Sequence, residues 1–218
     1  MPCLVCANPN TCEAHILPRA LGLDIIKCGE RRTLSLAARD RIHNNIQSGI
    51  VDRSILCSAC DGRLGDYDRH ATEVIRLLGT ESENITRNDF CVRRAEGIDH
   101  NYLALFAASV VWRAAMSNYR ELADFVLDQN DVARLRAVLF DGANDVPDVA
   151  ILRLVSNNRV ACEAVRMAMS YPARCDEGGC RRARFSARGL LFFVKFGTTD
   201  DPFIRDNSLK TIGASRGN

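Results

Sequence analysis

Two cysteine pairs of identical spacing constrain the fold of this chain more than any other feature of its sequence. The first pair is Cys3-x-x-Cys6 and the second is Cys57-x-x-Cys60, with residues 7–56 between them. A C-x-x-C turn aims two thiolates at one point, and two such turns give the tetrahedral four-sulfur set that structural zinc prefers. The spacing therefore predicts one zinc ion bound by all four cysteines, with a small subdomain inserted between the pairs.

The cysteine content and the N-terminal sequence bear on the cellular compartment. The chain has 10 cysteines, and in a reducing compartment such residues are metal ligands, buried thiols or catalytic groups in preference to disulfides. The first residues, "MPCLVCANPN", lack the features of a signal peptide, and no run of about 18 apolar residues occurs. We therefore predict a cytoplasmic protein with no membrane contact. Two alternatives for the cysteine pairs remain open, namely unrelated buried thiols and a redox-active pair.

Length and composition predict a folded α+β protein. The 218 residues allow one large domain or two small ones at about 150 residues per domain, and 47% hydrophobic residues suffice for a core. We predict a zinc-binding module over residues 1–80, a polar connection over 81–98 and an α+β domain over 99–218. The net charge of +2 neither requires nor excludes a nucleic-acid partner, because local patches matter more than the total.

Periodicity predicts the main elements of the second half. Apolar positions between Leu103 and Ala114 recur at helical steps, which predicts a helix capped by Asp99 or Asn101. Trp112 is predicted in the core and Arg113 at its rim. A second helix is predicted ahead of the turn-forming "DGANDVPD". The segments "VAILRLVS" and "RGLLFFVKFG" are typical of buried strands.

A histidine lies between the cysteine pairs in "EAHILP", and the second pair lies in "LCSACDG" ahead of the helical "RLGDYDRHATEVIRLL". This arrangement resembles the HNH family of ββα-metal nucleases. Its first motif is typically Asp-His-Ile-x-Pro, and its closing motif is Leu-Cys-x-x-Cys followed by Asn or His. The resemblance covers about the first third of the chain.

The resemblance implies an endonuclease that cuts nucleic acid, with DNA as the expected target, using one divalent ion, Mg²⁺ or Mn²⁺, on the scissile phosphate. It implies that His15 is the general base, with Ile16 and Pro18 matching its flank, and that Asp61 is the metal ligand on the helix. Neutral histidine can take a proton from water at neutral pH, and carboxylate oxygens suit these hard cations.

The chain departs from the family pattern at Ala14, where many members carry an aspartate that is a second ligand of the catalytic ion. Three interpretations remain open. Asp61 alone suffices as the protein ligand, or Glu13 compensates, because residues 13 and 15 lie on the same side of a strand. Alternatively, the catalytic metal site has decayed, leaving a zinc-bound scaffold that binds a protein or nucleic acid, for example in conflict between phages and bacteria.

Other polar groups on the predicted helix have two open interpretations. Asp66, Asp68 and His70 follow Asp61, and Asp68 returns to a similar helix face seven residues later. They form either a solvated face or an accessory group behind the metal ligand.

Basic residues gather in the last third of the chain. Arg181, Arg182 and Arg184 are candidates for contacts with a nucleic-acid backbone, although a solvated hairpin surface explains them equally well. A small nuclease module has little surface for choosing a target. We therefore expect the domain over residues 99–218 to bind the target or a protein partner.

Overall fold

The structure, a computed structural model, describes residues 1–27, 34–37, 41–43, 49–80, 98–153 and 168–207. Helices and strands both contribute to it, which confirms a mixed α and β architecture. Of the predicted connection, residues 81–97 lie outside the described ranges. Within those ranges, no helix is long and apolar enough to cross a membrane.

The elements follow one another in this order: β1 (Ala14–His15), α1 (Arg19–Lys27), β2 (Leu34–Ala37), β3 (Arg41–His43), β4 (Val51–Asp52), α2 (Ser58–Thr80), α3 (His100–Met116), a 3₁₀ turn (Arg120–Leu122), α4 (Gln129–Phe140), β5 (Val149–Arg153), β6 (Ala168–Arg174), β7 (Arg181–Ala187), β8 (Leu190–Phe196) and a short helix (Pro202–Asn207). The helix predicted ahead of "DGANDVPD" is α4, and the two predicted strands contain β5 and β8.

Two short strands and a long helix form the N-terminal part. Strand β1 pairs antiparallel with β4, so that Ala14 lies opposite Asp52 and His15 opposite Val51. Helix α2 begins shortly after β4, with Cys57 immediately before its first residue. The two cysteine pairs are therefore brought together around the β1–β4 strand pair and the start of α2.

The remaining six described strands form one sheet in the order β3-β2-β6-β7-β8-β5. Strands β2 and β6 are parallel, and all other neighbours are antiparallel. Because β2 and β3 come from the segment between the cysteine pairs, that insertion extends a sheet whose other strands belong to the second half of the chain. Along β8, residues 190, 192, 194 and 196 are buried and alternate with half-buried ones, as expected for a strand with one face on the core.

Helix α3 is the central element of the core. Every residue from Leu103 to Ala114 is buried, and Asp99 caps the helix by accepting hydrogen bonds from the backbone N–H groups of Asn101 and Tyr102. The helix packs on α2, on α4 and on strands β6 and β8. The helix is as predicted from the sequence, and of the two predicted caps Asp99 is the one that caps it.

A single hydrophobic cluster joins the two halves of the chain. It includes Leu17 and Leu64 from the first half and Phe106 and Phe192 from the second. The rings of Phe106 and Phe192 meet edge to face with centroids 5.7 Å apart. Trp112 is buried as predicted. Residues of both predicted domains therefore contribute to one continuous core.

Candidate functional site

The four cysteines of the two pairs converge on one point. Their sulfur atoms all lie within 4.8 Å of one another. The Cys6 sulfur is 3.6 Å from that of Cys57 and 3.7 Å from that of Cys60. A tetrahedral zinc ion with Zn–S bonds of about 2.3 Å requires sulfur–sulfur edges of about 3.8 Å. The ligand set and its spacing therefore fit a zinc site.

Backbone hydrogen bonds hold the two cysteine turns in place. In the first turn the Ala7 N–H donates to the Cys3 carbonyl at 2.9 Å, and Ala7 has a left-handed φ of 58°. The Leu4 N–H donates to the Ile55 carbonyl at 2.9 Å, which fastens this turn to the approach to α2. In the second turn the Asp61 N–H donates to the Cys57 carbonyl at 2.9 Å as the helix begins.

The electrostatics of the cluster also favour a cation. Burial raises the pKa of the Cys3 thiol, but hydrogen bonds from the backbone of Cys6 and Val5 outweigh it and lower that pKa to about 6. Burial and the neighbouring sulfurs raise the pKa of the Cys60 thiol. Four adjacent sulfurs cannot all ionise cheaply without a positive charge among them, and a divalent metal ion supplies it.

A cleft of about 330 Å³ opens beside this cluster. It lies between the start of α1, one face of α2 and the buried side of α3. Among its lining residues are His15, Arg19, Asp61, Asp68 and Arg113. The predicted general base, His15, and the predicted metal ligand, Asp61, are thus brought to the same cleft from distant positions in the sequence.

His15 lines this cleft, and the residue is half buried. Burial is the main cause that lowers the pKa of its imidazole, and the Arg19 cation lowers that pKa further. The nearby carboxylate of Asp61 acts in the opposite direction. The imidazole is therefore neutral at neutral pH, so that a ring nitrogen is available to accept a proton.

Asp61 lies in the first turn of α2, directly after Cys60 of the sulfur cluster. Burial raises the pKa of its carboxyl group, and the guanidinium of Arg113 opposes that rise. Carboxylates at this position are favoured by the partial positive charge of a helix N-terminus. Within the described ranges, Asp61 has no ion-pair partner, so its oxygens can ligate a metal ion.

Arg113 is buried in the middle of the apolar helix α3, and the prediction that it lies at the rim of the core is wrong: its exposed fraction is 1%. Its Nη1 donates to the His15 carbonyl at 2.7 Å, and its two Nη atoms form a forked pair with Asp68 at 2.9 and 2.8 Å. Its remaining N–H groups donate to the carbonyl and hydroxyl oxygens of Ser109 at 3.3 and 3.1 Å. These five bonds match the five N–H groups of a guanidinium.

The other polar groups of α2 divide between surface and interior. Asp66 pairs with exposed Arg69 at 2.7 Å, as expected for a solvated face. Asp68 instead faces the interior, where its side chain is only 19% exposed and pairs with Arg113. An arginine in the middle of an apolar helix was the sequence signal for such a partner.

A second carboxylate, that of Asp52, fixes the β1–β4 strand pair to the C-terminal end of α3. Asp52 of β4 is buried and accepts hydrogen bonds from the Ser54 hydroxyl at 2.6 Å, the Ser117 hydroxyl at 2.6 Å and the Asn118 N–H at 3.0 Å. Because Asp52 lies opposite Ala14 in the β1–β4 pair, this network anchors the strand that carries His15.

The position before the histidine has no side-chain oxygen. Ala14 is fully buried, with an exposed fraction of 0%. Glu13 is exposed and forms an ion pair with Arg53 at the surface, and it is not among the residues that line the cleft. As the structure stands, Asp61 is the predicted metal ligand that faces the cleft.

The three candidate nucleic-acid-binding arginines do not form one open basic surface. Arg182 is buried and forms a forked ion pair with buried Asp201, with one N–O distance of 2.9 Å. Arg181 pairs with Asp128 and Asp131. Arg184 is exposed. Nucleic-acid binding by these residues stays a prediction, and Arg184 is the one whose guanidinium faces solvent without an ion pair to any described residue.

Comparison of the chain with models of protein families, with curated proteins and with solved structures yields no match. The function must therefore be argued from the chemistry of the site itself.

Proposed function

We propose that this protein is a metal-dependent endonuclease that hydrolyses phosphodiester bonds of nucleic acid, with DNA as its expected substrate. The observation that carries the proposal is the meeting of His15 and Asp61 in one cleft beside the four-cysteine cluster. A proton acceptor and a carboxylate ligand are the two groups that metal-assisted hydrolysis of a phosphodiester requires.

His15 is the general base of the proposed reaction. Its neutral imidazole accepts a proton from the attacking water, and the low pKa keeps it ready to do so at neutral pH. Arg19 lines the same cleft and has an exposed side chain with no ion pair to a described residue. We assign it the role of holding a phosphate of the substrate next to the base.

Asp61 is the residue that would hold the catalytic ion. Mg²⁺ or Mn²⁺, when bound, neutralises charge on the scissile phosphate and on the leaving oxygen. The oxygen chemistry of Asp61 suits such hard cations. Asp68 is committed to Arg113 and Glu13 to Arg53, so water and phosphate oxygens would complete the coordination of this ion.

The cysteine cluster has a structural role in this proposal. A zinc ion held by Cys3, Cys6, Cys57 and Cys60 fixes the N-terminal segment against the first turn of α2. Asp61 follows the last of these ligands directly, so the zinc site also fixes the start of the helix that carries the catalytic carboxylate.

One observation favours a second candidate function. Ala14 is fully buried and offers no ligand at a place where the family resemblance implies an aspartate. On this alternative, the protein is a zinc-bound scaffold without catalysis that binds a protein or nucleic acid through its second half.

A plasmid-nicking assay separates the two candidates. Supercoiled plasmid is incubated with the wild-type protein, with His15→Ala and with His100→Ala, in Mg²⁺ and separately in Mn²⁺. His100 serves as the matched control because it is a histidine at the start of α3 that does not line the cleft. We expect His15→Ala to lower the rate by about 100-fold or more while the control cuts normally.

Zinc content and melting temperature accompany the assay, and we expect both to be nearly unchanged in His15→Ala. A mutant that nicks as fast as wild type shows that His15 is not the base. A wild-type protein that cuts with neither ion supports the scaffold alternative.

A further inference from the structure

The position of His15 in the cleft depends on the β1–β4 strand pair, which is too short to be stable alone. Strand β1 pairs with β4 at two positions, and beyond them the Ile16 N–H donates to the Ile50 carbonyl at 3.0 Å. Isolated two-stranded ribbons are at best marginally stable in water. Contacts from outside the strand pair must therefore fix the position of His15, and the Asp52 network supplies one of them through β4.

Arg113 makes the contact to β1 itself. Its hydrogen bond of 2.7 Å to the His15 carbonyl is charge-assisted and reaches the strand from a helix 98 residues further along the chain. The same guanidinium is locked by its forked pair with Asp68 on α2. Asp68 and Asp61 share one helix, and both line the cleft. One side chain thus links the strand of the base to the helix of the metal ligand.

The cost of burying this arginine argues for such a role. An ion pair taken out of water contributes little net stability, and apolar residues of similar volume often replace it without loss. Arg113 nevertheless interrupts a run of apolar residues in α3, and all of its N–H groups are used. A packing role alone would be met by leucine or methionine.

We infer that Arg113 is a positioning residue that fixes the base His15 relative to Asp61 across the cleft. The inference rests on the proposed function, since the distance matters for catalysis only if these two residues act together. Misplacing a catalytic group by about 1 Å can lower a rate by about 100-fold.

A pair of matched double variants tests this role. Arg113→Met with Asp68→Asn removes both charges of the cleft pair, so that neither partner is left buried and uncompensated. Arg182→Met with Asp201→Asn makes the same change in a second buried arginine–aspartate pair, which joins β7 to the start of the short helix Pro202–Asn207. Arg113→Lys, which keeps the charge but not the fork, is the conservative variant.

The first measurement is independent of activity. NMR spectra of each zinc-loaded protein, taken without added Mg²⁺ or Mn²⁺, record the ring signals of His15 and the exchange rate of the Ile16 amide. We expect both to change in the cleft double variant and to stay at wild-type values in the Arg182–Asp201 control.

The second measurement is the rate of plasmid nicking as a function of plasmid concentration. We expect kcat to fall by about 10- to 100-fold with KM within about twofold of wild type, and Arg113→Lys to recover part of the loss.

The outcomes separate the inference from the proposed function. If the His15 signals and the Ile16 exchange rate stay at wild-type values in the cleft variant, or change equally in the control, Arg113 does not position His15. If they change as expected while the wild-type protein cuts no plasmid, the positioning contact stands and the nuclease assignment fails. Equal losses in kcat for Arg113→Lys and for the double variant would also overturn the inference. The positive charge that lysine keeps at position 113 would then restore none of the positioning of His15.

Discussion

The cysteine cluster and the cleft share one turn of helix α2, yet they are built in different ways. Cys60 belongs to the cluster and the next residue, Asp61, to the cleft. The cluster takes all its ligands from two local turns, whereas the cleft combines residues of β1, α2 and α3. Within each turn, local geometry alone aims the two thiolates, and the backbone bond from Leu4 to Ile55 joins the two turns. The cleft depends on the packing of the whole core, and the comparison predicts different consequences when each is damaged.

The largest effect is expected from the cluster. Cys57→Ser removes one ligand of the proposed zinc ion, whose apparent binding energy in small zinc-binding peptides is about 10–16 kcal/mol. We expect most of the zinc to be lost and the melting temperature to fall by about 10 °C or more. Elemental analysis and thermal unfolding measure both quantities.

Cys175→Ser is the matched control for this change, since Cys175 is a half-buried thiol outside the cluster. It should keep one equivalent of zinc and melt close to wild type. If Cys57→Ser melts like this control, the four cysteines do not bind a structural ion.

The next effect concerns the cleft. Arg113→Ala leaves Asp68 without its partner in a mostly buried position, and breaking a buried pair costs about 3–5 kcal/mol. Because Asp68 keeps 19% of its side chain exposed, we expect the lower end of this range, about 3 kcal/mol. Denaturant unfolding measures the change in free energy.

Zinc content distinguishes this damage from that of the cluster. Arg113→Ala should retain its zinc, since none of its five hydrogen bonds involves a cysteine. A variant that loses zinc together with stability would show that cleft and cluster unfold as one unit.

The sequence predicted the cluster better than the cleft, because the cluster depends on short-range spacing and the cleft on contacts between distant residues. C-x-x-C spacing fixes the direction of thiolates over a few residues, so Cys3, Cys6, Cys57 and Cys60 were identified without a fold. Arg113 was misplaced because its burial depends on Asp68 and on the His15 carbonyl, which lie far away in sequence. Helical periodicity treats such an arginine as a break in the apolar face and cannot foresee its partners.

The same limit applies to the sheet and to the basic residues. The apolar run of β8 predicted a buried strand, but no local sequence pattern indicated that β2 would pair with β6 in parallel. Arg182 looked like part of a basic cluster because its partner, Asp201, lies 19 residues further on. Counting charges over a short stretch of sequence overestimates the basic surface when a distant carboxylate pairs with one of its arginines in the fold.

A smaller effect is expected in the titration of the cleft. Burial and the Arg19 cation lower the pKa of His15, so its NMR titration midpoint in zinc-loaded protein without added Mg²⁺ or Mn²⁺ should lie below the ordinary 6.5. Arg19→Gln removes a positive charge that disfavours the imidazolium, and the midpoint should therefore rise toward that value. A midpoint that does not move would place Arg19 too far from His15 to hold a phosphate beside it.

The smallest effect compares two exposed arginines that lack ion pairs to described residues, Arg19 in the cleft and Arg184 in the second half of the chain. Arg19 lines the cleft, whereas Arg184 lies on β7. Each phosphate contact that is lost should reduce the slope of log affinity against log salt by about one. We expect this change for Arg19→Ala and, if the second half also grips the backbone, for Arg184→Ala.

Arg182→Ala provides the contrast for these two variants. Its guanidinium is buried against Asp201, so its loss should lower stability while leaving the salt slope unchanged in the protein that remains folded. Filter binding or anisotropy with a labelled duplex, repeated at several salt concentrations, gives the slopes. A reduced slope for Arg19→Ala alone would confine nucleic-acid contacts to the cleft. The second half would then contribute Arg113 to the cleft and leave its surface around Arg184 for a protein partner, because Arg184 would have no phosphate to bind.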